Sequence, residues 1–229
     1  MMNLALNTQP ANENRSLLTD QLRGLAVLLM IFFHGSYDLN LFGHIVIDPF
    51  GNPFWFGLPR LIVFLFLICV GIGLRSAYLK GIDWKKFSRR LGKLVFLSVL
   101  VSISTYFLFP DRWIYFGTLH CIALCSFLAL PLLKLPRVAL ILALIILGFD
   151  FAGFRLPWIK LEHSSMDYIP LFPWIAVVFL GFYLHYLKVH LWQVPQIKFL
   201  EFLGRKSLII YIIHQPLIFG LLALISKLA

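Results

Sequence analysis

Arg23 and His34 stand in a stretch that is otherwise almost wholly apolar, a setting that ionisable side chains rarely occupy without a task. Eleven steps of about 100° return the two to one helical face, with about 16 Å of rise between them. One face therefore carries a cation at one edge and an imidazole toward the other. Asp20 precedes Arg23 by three residues and Asp38 follows His34 by four, so each can pair along that face. A carboxylate bonded to an imidazole fixes its tautomer and raises its basicity, which is what a general base needs. The plainer alternative is an interfacial ion pair at each helix end.

Three more histidines fall in or beside apolar runs. His44 lies in the segment Asp38-Leu-Asn-Leu-Phe-Gly-His44-Ile-Val-Ile-Asp48, which is too apolar for an ordinary solvated loop and is expected to dip back and close the outer mouth. His120, in Tyr115-Phe-Gly-Thr-Leu-His120, and His214, in Ile213-His214-Gln215-Pro216, are expected inside helices, where each needs a polar partner. Either serves a reaction or makes a hydrogen bond between helices. No pair of these histidines has the i,i+3 or i,i+4 spacing of helical metal ligands, so no metal is expected. Residues 75–93 hold seven cations, among them Lys85, Lys86, Arg89 and Arg90. That density serves topology and anionic lipid, and it also suits a polyphosphate, to which Arg205-Lys206-Ser207 could add a helix N-terminus.

The elements that must hold these residues are membrane helices. The 229 residues are 60% hydrophobic and 13% charged, with mean hydropathy +0.87. A soluble domain runs at about 45–50% and 25%. Apolar runs near 22–39, 56–74, 94–109, 113–133, 138–154, 169–186 and 208–228 predict an all-α polytopic bundle of about seven spans. Residues 1–19 form a polar cytoplasmic segment and 20–229 one domain; the first run is expected to stay uncleaved. Prolines mark most boundaries, and Trp55, Trp113, Trp158 and Trp174 near outer ends and Trp84 and Trp192 near inner ends form interfacial belts. Of the 20 Lys and Arg, only Arg60, Arg112, Arg155, Lys160 and Lys227 side with the outer face. That bias places the N-terminus in the cytoplasm and, with an odd number of spans, the C-terminus outside. The net charge of +10 therefore reads as topology and lipid contact, and no nucleic-acid partner is expected. Cys69, Cys121 and Cys125 all sit in apolar runs and read as packing residues.

As a set, Thr19-Asp20-Gln21-Leu22-Arg23-Gly24-Leu25-Ala26 with Met30 and His34, Tyr37-Asp38-Leu39, Phe116-Gly117-Thr118-Leu119-His120, Asp167-Tyr168-Ile169-Pro170-Leu171-Phe172-Pro173-Trp174, and Leu203-Gly204-Arg205-Lys206-Ser207 through His214-Gln215-Pro216 carry a resemblance. The chain resembles, over nearly its whole length, bacterial proteins similar to the catalytic domain of lysosomal heparan-alpha-glucosaminide N-acetyltransferase, within the wider transmembrane acyltransferase superfamily. The resemblance implies an enzyme of the bacterial inner membrane that moves an acetyl group from cytoplasmic acetyl-CoA, or another acyl-CoA, to a sugar amine or hydroxyl on the external side. It places the lysosomal enzyme's loop histidine at His44, whereas Arg23 and His34 match the superfamily's first-helix pair. Two histidines thus compete for one role, and the resemblance to the lysosomal enzyme favours His44 for the proton transfer, with His34 orienting the thioester or His44 itself.

On this reading Arg23, Lys85, Lys86, Arg89, Arg90, Arg205 and Lys206 hold the nucleotide end of the donor. The thioester reaches His34, His44 and Asp38, and Tyr37, His120 or His214 orients substrate or stabilises an oxyanion. Direct transfer and an acyl-histidine route both fit. The rival is a small transporter in which Arg23, His34, Asp38 and His120 line a proton or anion path; a non-catalytic assembly factor is the third reading.

Overall fold

The computed structural model describes residues 16–48 and 51–228. Most of the polar N-terminal segment lies outside these residues, and the first helix begins at Leu17. The described residues form eight α-helices and two 3-10 turns, and no strand. The helices are α1 Leu17–Leu41, α2 Pro53–Tyr78, α3 Trp84–Leu108, α4 Thr118–Leu128, α5 Pro136–Phe151, α6 Leu171–Tyr186, α7 Lys198–Arg205 and α8 Ser207–Leu228. Helices α1, α2, α3 and α8 are long and apolar enough to cross a bilayer. The chain is an integral membrane protein.

Local chemistry sets the starts. Ser16 Oγ accepts the Thr19 N–H at 3.2 Å, Asn52 Oδ1 the Phe54 N–H at 2.9 Å and Asp83 Oδ1 the Lys86 N–H at 3.0 Å. Each satisfies an N–H that a helix terminus leaves without an internal partner. The cap at Asp83 sets the start of α3 early within the basic stretch 75–93: α2 continues to Tyr78, α3 begins at Trp84, and Lys85, Lys86, Arg89, Arg90 and Lys93 occupy the first turns of α3. The fourth span is also shorter than 113–133, since α4 starts at Thr118 and passes at Leu130–Leu132 into a 3-10 turn. Cys121, Ala123, Cys125 and Ser126 are buried. A short helix held inside a bundle need not cover the hydrocarbon thickness by itself.

Residues 187–206, between the last two apolar runs, contain a 3-10 turn at Val189–Leu191 and the short helix α7. This stretch is sewn to the start of α1. Ser16 Oγ donates to the His190 carbonyl at 2.6 Å and Gln21 Nε2 to the Pro195 carbonyl at 3.1 Å. Helices α1 and α7 cross at Gly24 and Gly204. A Cβ on Gly24 would collide with the Leu200 carbonyl, and one on Gly204 with the Asp20 carbonyl. Small residues at a crossing let backbones approach this closely.

The core joins α1, α2, α4 and α6 around Val27, Leu67, Leu74, Cys125 and Phe182, all fully or nearly fully buried. Helices α3 and α8 instead show apolar side chains such as Phe96, Ile103, Phe107, Leu217 and Leu221 on the outside of the bundle. An apolar helix face turned outward is what a lipid-facing position requires. Between α1 and α8, His34 meets His214, Asp38 meets Gln215, and Phe42 meets Phe219. Both numbers climb together, so these two helices run parallel.

Candidate active site

Arg23, near the N-terminal end of α1, faces a cavity of about 560 Å³. Lys86, Arg89, Arg90 and Lys93 from α3 and Arg205 from α7 line the same space, and among the described residues no carboxylate lines it. Lys86, Arg89 and Lys93 share a face because they are three and four residues apart along a helix. Asp20 Oδ1 receives the Arg23 guanidinium at 3.2 Å, and Glu201 holds Arg205 in an ion pair. Arg90 lies near enough to Arg23 for the two cations to repel. Six cations converging on one space make it a receptor for a multiply charged anion. Asp83 turns its carboxylate to the cap rather than to the cavity, and the Lys86 N–H holds its pKa below the ordinary value. Lys85 and Lys206, both expected here, are exposed and not part of the lining.

The walls become apolar along Phe66, Val70, Leu119 and Ile122, and the cavity reaches Tyr211 and Ser207 of α8. One turn beyond Tyr211 stands His214. Its Nδ1 is 2.8 Å from the Tyr211 carbonyl. A carbonyl only accepts, so Nδ1 carries the proton and Nε2 is left with a free lone pair. That Nε2 is buried and has no hydrogen-bond partner. The His34 ring packs against it, centroid to centroid 5.0 Å at 61°. The expected bond between Asp38 and His34 does not form. The Asp38 carboxylate, almost wholly buried, accepts from Gln215 Nε2 with both oxygens at 3.1 Å. Gln215 Oε1 is a second buried acceptor without a donor. A group bearing N–H or O–H would satisfy these acceptors, and Nε2 of His214 is placed to take its proton.

The other expected site residues divide. Tyr37 is half-buried one turn after His34, with its ring 6.3 Å from that of Phe33. His120 is engaged at both ring nitrogens: the Gly117 N–H donates to Nδ1 at 3.2 Å and Nε2 meets Ser102 Oγ at 3.1 Å. Since Nδ1 accepts, Nε2 carries the proton, and Ser102 passes its own to the Ile114 carbonyl at 2.6 Å. His120 therefore secures the start of α4 and has no donor to spare for an oxyanion. His44 is exposed beyond the end of α1. Its N–H bonds back to the Leu39 carbonyl at 2.9 Å, and Asn40 Oδ1 takes the Ile47 N–H, so the backbone folds onto α1 while Ile45 and Val46 point outward. The outer segment does not close over the histidines.

Sequence reasoning gave no site role to Lys93, Tyr211, Gln215, Thr118 or Asp167. Lys93 was recoverable once the Asp83 cap placed Trp84 at a helix start. Asp167 bonds both the N–H and the hydroxyl of Thr118, at 2.8 and 3.2 Å, across 49 residues of chain, and no local spacing announces that. Burial pushes the Asp167 carboxyl above its ordinary range, and bonds from Thr118 and Tyr211 pull it part of the way back.

A polytopic helical membrane protein with a cationic cavity that reaches Tyr211, one turn from a packed imidazole pair, is the class this geometry defines. Residues 15–216 match the family described as heparan-alpha-glucosaminide N-acetyltransferase, catalytic, and the chain belongs to that family of membrane acetyltransferases. Neither the search of curated proteins nor that of solved structures produced a match.

Proposed function

We propose that this protein takes an acetyl group from cytoplasmic acetyl-CoA and passes it to an amine or hydroxyl of a sugar on the external side of a bacterial inner membrane. The observation that carries the reading is the continuity of the cavity, with six cations at one end and Tyr211, one turn from His214, at the other. The phosphates of the donor lie among Arg23, Lys86, Arg89, Arg90, Lys93 and Arg205, and its arm passes the apolar walls. The thioester then arrives beside His34 and His214.

The acceptor donates to the Gln215 and His214 acceptors. As its nitrogen or oxygen attacks the thioester carbonyl, His214 Nε2 takes the proton. Collapse of the tetrahedral intermediate breaks the carbon–sulfur bond and returns that proton to the leaving thiolate. Geometry favours this buried pair over His44 for proton transfer.

The test is thiol release from acetyl-CoA by purified protein in detergent, with and without amino sugars and neutral sugars. Acceptor-dependent release is the expected result. A protein that moves protons or anions across vesicles and consumes no thioester would replace this reading with transport.

A further inference from the structure

The spacing in α1 offers Asp38 to His34, yet its carboxylate bonds Gln215 of α8. A carboxylate only 1% exposed inside a membrane bundle is costly to bury, and such groups mark functional sites. Both of its oxygens accept from Gln215 Nε2 at 3.1 Å. A carboxylate accepts and never donates, so the amide meets it with nitrogen, and Oε1 is turned the other way. That Oε1 is buried and has no donor among the described residues. A bond that only fastened α1 to α8 would not need the charge, since an amide on each helix would make it with no carboxylate to bury. His214, the residue before Gln215, shows the same pattern. Its Nδ1 proton is committed to the Tyr211 carbonyl at 2.8 Å, and its buried Nε2 lacks a donor. The two residues meet α1 at His34 and Asp38, one turn apart.

Two buried acceptors on consecutive residues, each oriented by a bond at its other end, suit an attacking atom that carries two hydrogens. A primary amine attacks as its free base with two. Its nitrogen bonds to the thioester carbonyl carbon, the carbon–sulfur bond breaks, and one proton passes by way of His214 Nε2 to the thiolate. The second hydrogen stays on the nitrogen of the product amide. We propose that Asp38 is a positioning residue that fixes the Gln215 carbonyl oxygen as the acceptor for the hydrogen that stays, while His214 takes the one that leaves. The proposal rests on the acyl-transfer reading given under Proposed function. A secondary amine or a hydroxyl brings a single hydrogen, gives it to His214 and leaves Gln215 Oε1 unsatisfied, and a site with a stranded acceptor binds such a group less well.

The test measures acetyl transfer from acetyl-CoA by the purified full chain to glucosamine and to its N-methyl derivative, which as free bases carry two hydrogens and one. Wild type is expected to favour glucosamine in kcat/KM by roughly tenfold, the cost of a buried acceptor left without a donor. Asp38→Asn, whose own amide can meet either edge of Gln215, is expected to raise the KM for glucosamine by roughly three- to tenfold and to shrink that preference by the same factor, with acetyl-CoA affinity unchanged. Asp38→Glu, which keeps the carboxylate, is expected to recover part of the preference. The double variant Asp38→Leu/Gln215→Leu strands no buried partner, so it keeps the question open to measurement should a single variant fail to fold. It is expected to lose no more than Gln215→Leu alone, because the carboxylate acts through the amide. An unchanged preference in Asp38→Asn, or equal weakening of both acceptors, would overturn the proposal and leave Asp38 and Gln215 as a fastening between helices. A wild type that acetylates neutral sugars but neither amine would overturn the proposal alone. One that consumes no thioester would overturn the acyl-transfer reading, and this proposal with it.

Discussion

His214 is held in one tautomer by a main-chain carbonyl, as His163 also is, and what sets it apart among the described residues is the state of its other nitrogen. His120 has spent both nitrogens on neighbours, and His44 is exposed beyond the end of α1. Only His214 combines a fixed proton on one nitrogen with a buried, unpartnered lone pair on the other. His214→Ala should therefore lower acetyl transfer by roughly 10² to 10⁴, the usual worth of a general base, with acetyl-CoA affinity close to wild type. His44→Ala should keep wild-type turnover. The reverse pattern would return the base to the loop. Helical periodicity made Arg23 and His34 legible as one face, and both do point inward, one to the cavity and one to His214. It misplaced the partner of Asp38. The competing group was Gln215, 177 residues away on another helix, and pairing along one helix gives no view of a bond made across the bundle.

The α3 helix turns a basic sequence into a basic surface with two different sides. Lys86, Arg89, Arg90 and Lys93 face the cavity, and Lys85 does not. Replacing Lys86 or Arg89 with Gln should weaken acetyl-CoA binding by about tenfold for each cation, the low end of a charge-assisted hydrogen bond, and should reduce the dependence of binding on salt. Lys85→Gln should do neither. Equal effects at all three positions, read by titration of the purified variants, would mean that the helix acts only as a diffuse positive surface. All seven apolar runs reappear as helices, because burial and membrane exposure both favour what hydropathy measures. The α7 helix was missed for a physical reason. Its eight residues set charges at Lys198, Glu201 and Arg205 among apolar side chains, too short and too mixed to register as a span, and it is held by its crossing at Gly24 and Gly204.

Across the whole molecule, the parallel course of α1 and α8 constrains the topology more directly than counting apolar runs. Two helices that cross a membrane in the same direction begin on the same side, so the chain's first crossing starts, and its last one ends, on opposite faces. Loop charge then decides which face is which, since the cationic mouth formed by α1, α3 and α7 lies on the side with most of the Lys and Arg. On the proposed reading that mouth faces the cytoplasm, the side from which the acyl donor would enter. A reporter inserted at Gly81, in the tight turn between α2 and α3, should therefore read cytoplasmic, and one fused after Ala229 should read external. The sensitive element is α4, whose 11 residues rise only about 16 Å against a hydrocarbon core of about 30 Å. If α4 entered and left by the same face, the helices after it would invert and the C-terminal reporter would read cytoplasmic. His34 and His214 could then not meet as they do, because α8 would run antiparallel to α1. A cytoplasmic C-terminus would thus dismantle the imidazole pair together with the topology.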